Sequence, residues 1–314
     1  MYKIAAYAAL SVLLCMLALS VGSTGWHWPW HVDQAVLWEI RAPTMWLALL
    51  TGAALAVSGL VMQILLHNPL ADPYVIGVSG GAAVGGVLAI VMGLGGAWLP
   101  LSAGIGALAS ILCLMLLCGA FGWRDPATIV LVGVVLNTIS SSMVTIVKMV
   151  VPASTAQAML FWLVGGIGIE TPTVLFWLTL GIMIAVIGLT FSQNALQLLS
   201  LGTIHAELLG LSAHRTRIIL LSVATVLCAA VVAYTGLIGF VGLIVPNVVR
   251  RHLGNTHRLL IPITAYAGGI LVVAADAMGR SMFPWIGGSL PVGAITALAG
   301  GPFFLYLLRD YGKR

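Results

Sequence analysis

Long apolar runs alternate with short polar breaks along the whole 314-residue chain. Each run holds about 20 residues, which is the length that crosses ~30 Å of hydrocarbon as an α-helix. The period-two alternation of a transmembrane β-strand is absent from these runs. The pattern therefore predicts an all-α polytopic membrane protein that forms a single domain over residues 1–314. We expect ten helical spans, at about 4–22, 44–66, 75–95, 99–121, 127–151, 173–192, 216–235, 237–250, 259–279 and 290–308.

Composition agrees with this pattern. Hydrophobic residues make up 61% of the chain and charged residues only 7%, and the mean hydropathy is +1.13. A soluble domain carries roughly 25% charged residues, so burial in a soluble core cannot account for this sequence. The net charge of +5 does not indicate nucleic-acid binding, because the basic residues cluster at the ends of the predicted spans.

The distribution of basic residues also predicts the orientation. An even number of spans places both termini on one side, and only Arg41, Lys148 and Arg280 then face the other side. Loops rich in Lys and Arg stay in the cytoplasm, so both termini are expected there. The residues on the predicted cytoplasmic side are Lys3, Arg124, Arg215, Arg217, Arg250, Arg251, Arg258, Arg309, Lys313 and Arg314.

The fifth predicted span carries a polar stripe. Asn137, Ser141, Thr145 and Lys148 follow one another at helical spacing and share one face, and Ser140 lies beside them. Polar groups in a span face the bundle interior or a water-filled path, so the stripe is a candidate translocation pathway. The alternative is that its hydroxyl and amide groups make hydrogen bonds between helices.

Third-span glycines Gly77, Gly81 and Gly85 recur every four residues, and we interpret them as a packing stripe. After the fifth span, Pro152–Ile169 contains an apolar stretch of about ten residues, which is too short to cross the membrane. We predict a short re-entrant or interfacial helix there.

The largest predicted cytoplasmic loop covers about residues 193–215. It is expected to form two short helices joined at Gly210. Considered alone, such a loop is either a surface connector or a docking site.

Sequence patterns for enzymatic chemistry are missing. The chain has no GxxxxGK[ST] phosphate loop and no HExxH motif, so it is not expected to hydrolyse ATP or bind a catalytic metal. Asp276 and Arg280 lie four residues apart near the end of the ninth span, a spacing that predicts an ion pair.

Several longer motifs occur in a fixed order, and with them the chain resembles the permeases of type II ABC importers for iron chelates, haem and cobalamin, the FecCD family. Three positions differ from the usual family pattern, namely Thr44, Asn247 and Ser289. The motifs are Arg41-Ala42-Pro43-Thr44, Ser58-Gly59 with Gln63, Asn68 to Pro73, Gly202 with Ala206, Leu209 and Gly210, Ile238 to Leu243 with Pro246, Asn247 and Arg250, and Asp276 with Arg280, Pro291, Gly293, Gly301 and Phe303.

The resemblance implies a permease subunit of the bacterial inner membrane that pairs with a second permease, identical or paralogous. It further implies two cytoplasmic ATPase subunits, which bind ATP-Mg, and a periplasmic or lipid-anchored binding protein that delivers substrate. No cofactor is expected on this chain. The implied cargo is a ferric siderophore first, then haem or cobalamin, with a molybdate-type oxyanion as an alternative.

The resemblance also implies roles for particular residues. Asn68 and Leu70 are expected at a cytoplasmic gate, and Arg41 and Arg280 at the docking site of the binding protein. In the fifth span it agrees with a translocation pathway lined by Asn137, Ser140, Ser141 and Thr145. ATPase coupling is implied for Gly202, Ala206, Glu207, Leu209 and Gly210.

Two other classes compete with the importer. A secondary transporter driven by an ion gradient would need an ionisable residue near mid-membrane, whereas the acidic residues here lie at the ends of the spans. An intramembrane enzyme would need a catalytic set at one depth, and the sequence shows none.

Overall fold

A computed structural model describes residues 13–22, 25–26, 28–121, 126–254 and 259–311. Within these ranges nearly all regular structure is helical. The only strands described are the two-residue segments β1 (Val21–Gly22) and β2 (Gly25–Trp26), which pair in antiparallel fashion. The start of the first predicted span lies outside the described residues, as do five residues of the charge argument: Lys3, Arg124, Arg258, Lys313 and Arg314.

The helices follow one another with short connections. Helix α1 covers residues 13–20 of the described part. Two 3₁₀ turns, Pro29–His31 and Pro73–Ile76, precede α2 and α3. The remaining helices are α2 (Gln34–Leu65), α3 (Val78–Val91), α4 (Trp98–Phe121), α5 (Pro126–Val150), α6 (Ala153–Val164), α7 (Pro172–Phe191), α8 (Gln193–Ser200), α9 (Thr203–Leu208), α10 (Ala213–Thr235), α11 (Val241–Leu253), α12 (Leu260–Ser281), α13 (Phe283–Ile286) and α14 (Val292–Tyr311).

The long helix α2 forms the centre of the bundle and packs against α10, α11 and α12. Its two glycines allow close approach of neighbouring backbones. A side chain at Gly52 would collide with the main chain of Gly268 in α12, and one at Gly59 with the main chain of Gly242 in α11. Glycine at these positions therefore brings three helices into direct backbone contact.

The predicted glycine packing stripe is confirmed for α3 and α4. Gly81 lies against the main chain of Gly106, and Gly85 lies against the main chain of Ser102. Gly77 has a different role, because its φ of 94° ends the Pro73–Ile76 turn and precedes α3. Only a residue without Cβ adopts that conformation readily.

The described part of the chain contains six helices that are long and apolar enough to cross a membrane. Their outer faces expose large apolar side chains, for example Leu112 of α4 and Ile184 of α7, which are 59% and 63% exposed. In water such a surface would aggregate, whereas lipid covers it without cost. The prediction of an all-α polytopic membrane protein is thus confirmed, while the count of ten spans stays a prediction.

Two helices are shorter than the sequence predicted. The third span was expected from residue 75, but α3 begins at Val78 because Gly77 is left-handed. The eighth was expected from residue 237, but α11 begins at Val241 because Phe240 has a φ of 68°. Hydropathy does not detect these backbone breaks, since the side chains around them remain apolar.

The short helix predicted after the fifth span is present as α6, which has 12 residues. The chain then leaves it through Gly165, whose φ is 77°. The main-chain N–H of Gly166 donates to Thr235 O at the end of α10, and Gly293 at the start of α14 donates to Gly165 O. Irregular backbone beside α6 is therefore satisfied inside the protein, as a membrane segment requires.

Candidate functional site

The polar break after α2 begins with a capped helix end. Asn68 N–H donates to Gln63 O and His67 N–H donates to Ile64 O, a Schellman pattern in which His67 occupies the left-handed position with a φ of 50°. Glycine usually takes this position. A non-glycine residue there carries backbone strain, which is a feature of functional segments.

The predicted gate residues lie in the turn that follows. Asn68 Oδ1 accepts a hydrogen bond of 2.9 Å from Leu70 N–H, and Ala71 N–H donates to Asn68 O. The structure therefore brings Asn68 and Leu70 together in one compact turn. Asn247 of α11 donates through Nδ2 to Pro69 O at 2.8 Å, so the residue that departs from the family pattern holds this turn against α11.

Asp72 ends the turn and caps the 3₁₀ segment. Its carboxylate accepts a hydrogen bond of 2.9 Å from Tyr74 N–H. Burial raises the pKa of Asp72 to about 6, and hydrogen bonds from the main-chain N–H groups of Tyr74 and Phe240 partly oppose that rise. Asp72 thus links the turn to Phe240, the left-handed residue that precedes α11.

Tyr74 makes the same connection through its side chain. Its hydroxyl donates to Ile238 O at 3.0 Å and accepts from Ile238 N–H at 2.9 Å. Both main-chain groups of Ile238 are thereby satisfied in an irregular segment that cannot use helical bonds. No role was predicted for Tyr74 from the sequence, although a polar aromatic residue directly after Asp-Pro was an available signal.

Gln63 of α2 donates a hydrogen bond to a main-chain carbonyl that has no helical partner because of a proline. Pro246 lies inside α11 and has no N–H, so Gly242 O loses its helical partner. Gln63 Nε2 donates to Gly242 O at 3.0 Å and to Ala71 O at 3.2 Å, and Arg250 donates to Gln63 Oε1. The turn after α2 and the helix turn around Pro246 in α11 therefore meet in one polar network.

Asn137, predicted to line the pathway, joins this network from α5. Its Nδ2 donates to Tyr74 O at 2.8 Å and its Oδ1 accepts from Gly80 N–H at 3.1 Å. Ser140 is half-buried one turn further along and faces the same glycine. Of the alternatives for the stripe, the hydrogen-bonding interpretation describes Asn137 best.

The rest of the polar stripe faces outward. Ser141, Thr145 and Lys148 are exposed, and Thr145 Oγ1 donates to Ser141 O at 2.8 Å within the helix. This half of α5 has polar groups on a surface that the chain itself does not cover.

The segment predicted to couple to the ATPase forms two short helices, as expected, but they join at Gly202 rather than Gly210. Gly202 has a φ of 105°, which stops α8 and starts α9, whereas Gly210 with a φ of 83° follows α9. Ala206 is fully buried, while Glu207 and Leu209 are exposed. We name as the α8–α9 patch the exposed apolar side chains of this segment: Leu201, Ile204, Leu208 and Leu209.

The α8–α9 segment is tied to its surroundings by two polar contacts. His67 Nε2 donates to Leu199 O of α8 at 3.0 Å. Arg217 of α10 is buried and donates to Thr203 Oγ1 of α9 at 2.9 Å. The left-handed His67 thus connects the predicted gate turn directly to the predicted coupling segment.

The predicted docking arginines lie at the opposite end of the bundle. Arg41 is only 4% exposed and donates to Leu19 O at 2.6 Å, and Arg280 donates to Val21 O at 3.1 Å. Arg280 also forms the predicted ion pair with Asp276, at 2.8 Å, which confirms that expectation. Both guanidinium groups line a cavity of about 640 Å³ that also contains His31.

Among the described residues, no group of three or more His, Cys, Asp or Glu side chains could hold a metal ion. The contacts described at the site are hydrogen bonds and packing between segments that lie far apart in the chain. A bundle of apolar helices, with a polar network that joins its core to an exposed segment beyond the spans, is the arrangement of an integral membrane transport protein.

A profile of the FecCD transport family matches residues 9–310, and the chain belongs to this family. The chain is accordingly a permease of the type II ABC importer class and not an enzyme, as the sequence motifs indicated.

Curated relatives cover nearly the whole chain. The vitamin B12 import system permease protein BtuC of Serratia proteamaculans is 36% identical over 301 residues, which is 93% of this chain and 88% of that protein. The cobalamin import system permease protein BtuC of Halobacterium salinarum is 39% identical over 282 residues, covering 88% of this chain and 74% of that protein.

Solved structures show the same fold. An inward-facing ABC transporter assigned to the metal-chelate type superposes with a TM-score of 0.85 at 29% identity, covering 96% of each chain. PsaBC from Streptococcus pneumoniae superposes with a TM-score of 0.59 at 16% identity over 87% of this chain and 92% of that one, a likeness of fold alone.

Proposed function

We propose that the chain is one of two permease subunits of an ATP-driven importer that moves a metal chelate across the bacterial inner membrane. In this proposal the subunit has ten spans and both termini in the cytoplasm, following the distribution of basic residues. Substrate crosses by alternating access, in which ligands at the two faces bias a bistable helix bundle.

One observation carries the proposal, namely the connection of the α8–α9 patch to the predicted gate turn through His67. Ile204 and Leu208 are 73% and 80% exposed although they lie outside the candidate spans. Exposed apolar side chains in contact with water mark a protein-binding surface. An ATPase subunit on this patch would move α8, and the hydrogen bond from His67 to Leu199 O would transmit that movement to Asn68 and Leu70.

ATP-Mg belongs to the ATPase subunits in this proposal, because the chain has no phosphate-binding loop. The pathway would lie between the two permeases along the exposed half of α5, lined by Ser141 and Thr145. A second permease on the far side of the pathway would keep lipid away from these hydroxyl groups, so that they face water, as polar groups in a span require.

The binding protein would dock at the opposite face, over the cavity that Arg41 and Arg280 line. Asp33 also lines this cavity and Asp276 pairs with Arg280, so two carboxylates balance the two guanidinium groups, and only the local positive charge of the arginines would face a binding protein. Acidic side chains on a binding protein would complement that charge and orient its approach.

For the cargo, the relatives favour cobalamin ahead of the ferric siderophore that the sequence analysis placed first. Two of them carry cobalamin or vitamin B12 in their names, and the similar solved structure is assigned to the metal-chelate type. The common chemistry is a large metal-containing ligand that a weakly polar pathway passes without binding tightly.

The test is competitive uptake of labelled cyanocobalamin, haem and a ferric siderophore by cells with and without this chain. Each ligand is measured again in cells whose partner ATPase is inactive. Uptake of one ligand that is lost with either lesion would identify the cargo and establish the ATP drive. Uptake that survives the ATPase lesion and collapses with the ion gradient would instead support a secondary transporter and refute the proposal.

A further inference from the structure

A groove of about 610 Å³ between α7 and α10 takes no part in the function described above. Its walls are residues at helical spacing from Trp177 on α7 to Ser192 directly after it, and from Ile219 to Ala230 on α10. Both helices are long and apolar enough to cross a membrane. The groove therefore runs along the lipid-facing surface of the bundle.

Two glycines of α7 create the depth of this groove. Gly181 and Gly188 lie seven residues apart, hence on one face of the helix. A side chain added at either position would meet no atom within 4 Å. Unlike Gly52 and Gly59 of α2, these glycines do not bring two backbones together, so helix packing does not explain them.

The chemistry of the walls favours an apolar ligand of extended shape. The hydroxyls of Ser192 and Ser222 already donate to Gly188 O and Ile218 O, at 2.9 and 2.7 Å. The remaining lining is mostly aliphatic. From Trp177 to Ser192 the groove is roughly 22 Å long at ~1.5 Å per residue, more than the ~15 Å hydrocarbon depth of one leaflet.

A basic side chain stands at one end of the groove. Arg215 is exposed and precedes the lining residue Ile219 by one helical turn, at the same end as Ser192. A guanidinium group binds phosphate in a bidentate manner. Basic residues beside grooves between spans on the cytoplasmic side are suited to anionic lipid headgroups.

We propose that this groove binds an acyl chain of an anionic phospholipid, with the lipid phosphate at Arg215. The assignment to the inner leaflet rests on the orientation given under the proposed function, while lipid binding itself does not. Rigid occupation of the groove would fix α10 relative to α7, and α10 carries Arg217, which holds the α8–α9 segment.

The test is native mass spectrometry of the full-length chain purified in detergent, titrated with dioleoyl phosphatidylglycerol or dioleoyl phosphatidylcholine. One variant, Gly181→Leu with Gly188→Leu, fills the groove with residues that favour helix more than glycine does. The second variant is Arg215→Gln. The control is Gly95→Leu, between α3 and α4, where an added side chain also meets nothing within 4 Å.

We expect the unaltered chain and Gly95→Leu to bind phosphatidylglycerol at least tenfold more tightly than phosphatidylcholine. The groove-filling variant should lose at least tenfold for both lipids, and Arg215→Gln should bind the two lipids equally. Unchanged lipid binding by the groove-filling variant would overturn the proposal. If that variant bound lipid normally but no longer associated with another subunit, the groove would be a protein interface and the proposal would likewise be wrong. Because the measurement needs no transport, loss of uptake with normal lipid binding would count only against the proposed function.

Discussion

The imidazole of His67 donates a hydrogen bond of 3.0 Å to the main-chain oxygen of Leu199, which lies 132 residues later in the chain. His67 makes this contact from a left-handed backbone conformation with a φ of 50°, at a helix end where glycine would be less strained. A side chain kept at an unfavourable position suggests that its contact matters more than local stability.

Two substitutions at His67 separate stability from transport. Glycine removes the hydrogen bond and relieves the backbone, so His67→Gly should keep or raise the melting temperature while uptake falls about five- to tenfold, the equivalent of ~1 kcal/mol. ATP hydrolysis by the assembled transporter should persist, because the ATPase sites are unaltered. The measurement is uptake against ATP hydrolysis in the same vesicles.

His67→Gln serves as the matched variant for this test, because its side-chain amide reaches nearly as far as Nε2 and donates a hydrogen bond. It should recover most of the uptake in spite of the strained backbone. Wild-type uptake by His67→Gly would show that the contact with Leu199 transmits nothing.

Tyr74→Phe should destabilise the permease by about 1–3 kcal/mol, because it leaves both main-chain groups of Ile238 without their partner. The measurement is the thermal unfolding midpoint of the purified protein. Tyr266→Phe is the control, since Tyr266 lies on the exposed surface of α12. Equal midpoints for the two variants would contradict the role given to the Tyr74 hydroxyl.

Asp72 should make stability depend on pH. Its pKa is about 6 in the folded protein and 3.8 ordinarily, so folding favours the protonated carboxyl. The stability that this group contributes is complete below about pH 4 and is lost as the pH rises through about 6. The loss amounts to about 3 kcal/mol at most, at ~1.4 kcal/mol per pKa unit.

Asp72→Asn keeps an acceptor for Tyr74 N–H but has no proton to lose. The unfolding midpoint of the wild type should therefore fall relative to that of Asp72→Asn between pH 4 and pH 7. Asp33→Asn, at the exposed cap of α2, is the control. A difference between wild type and Asp72→Asn that stays constant with pH would refute the assignment.

The α8–α9 patch should be required for binding the ATPase. Leu208→Glu puts a charge on a side chain that is 80% exposed, so the permease should fold normally. Copurification of the ATPase should fall at least tenfold, because a charge cannot be buried in an apolar interface without a partner. Trp285→Glu, also highly exposed at 87% but distant in sequence, should leave copurification intact.

The exposed half of α5 should be accessible from water if it lines the pathway. In a background without the native cysteines, Thr145→Cys should react with a membrane-impermeant maleimide, and substrate should slow the reaction. Ile184→Cys on α7, 63% exposed but facing lipid, should not react. If Thr145→Cys were as unreactive towards the maleimide as Ile184→Cys, α5 would lie against lipid and would not line the pathway.

Much of the fold could be predicted from the hydropathy pattern, because an apolar run of about 20 residues has one stable form in a membrane. The sequence was less informative about helix ends. Gly77 and Phe240 break the chain at residues whose neighbours are apolar, and the joint of α8 and α9 falls at Gly202 although it was predicted at Gly210. Backbone conformation at such positions depends on contacts that a window of sequence does not contain.

Candidate functional residues could be named where a motif contains them, but not where residues distant in the chain meet. Asn68, Leu70 and the residues of the coupling segment were found by their motifs, and their roles in gating and coupling are predictions that the experiments above test. No contact was predicted for the side chains of His67 and Tyr74, since each bonds a main-chain group more than 130 positions away.

The sequence by itself determined that this protein is a helical membrane permease of the FecCD family, because span length and ordered motifs are local properties. Only the tertiary structure decided that Gln63 and Asn247 hold the predicted gate turn, that Asn137 bonds the 3₁₀ segment after it, and that Arg41 is buried. Hydrogen bonds between segments far apart in the chain depend on the packing of α2, α5 and α11, and no pattern within one segment specifies that packing.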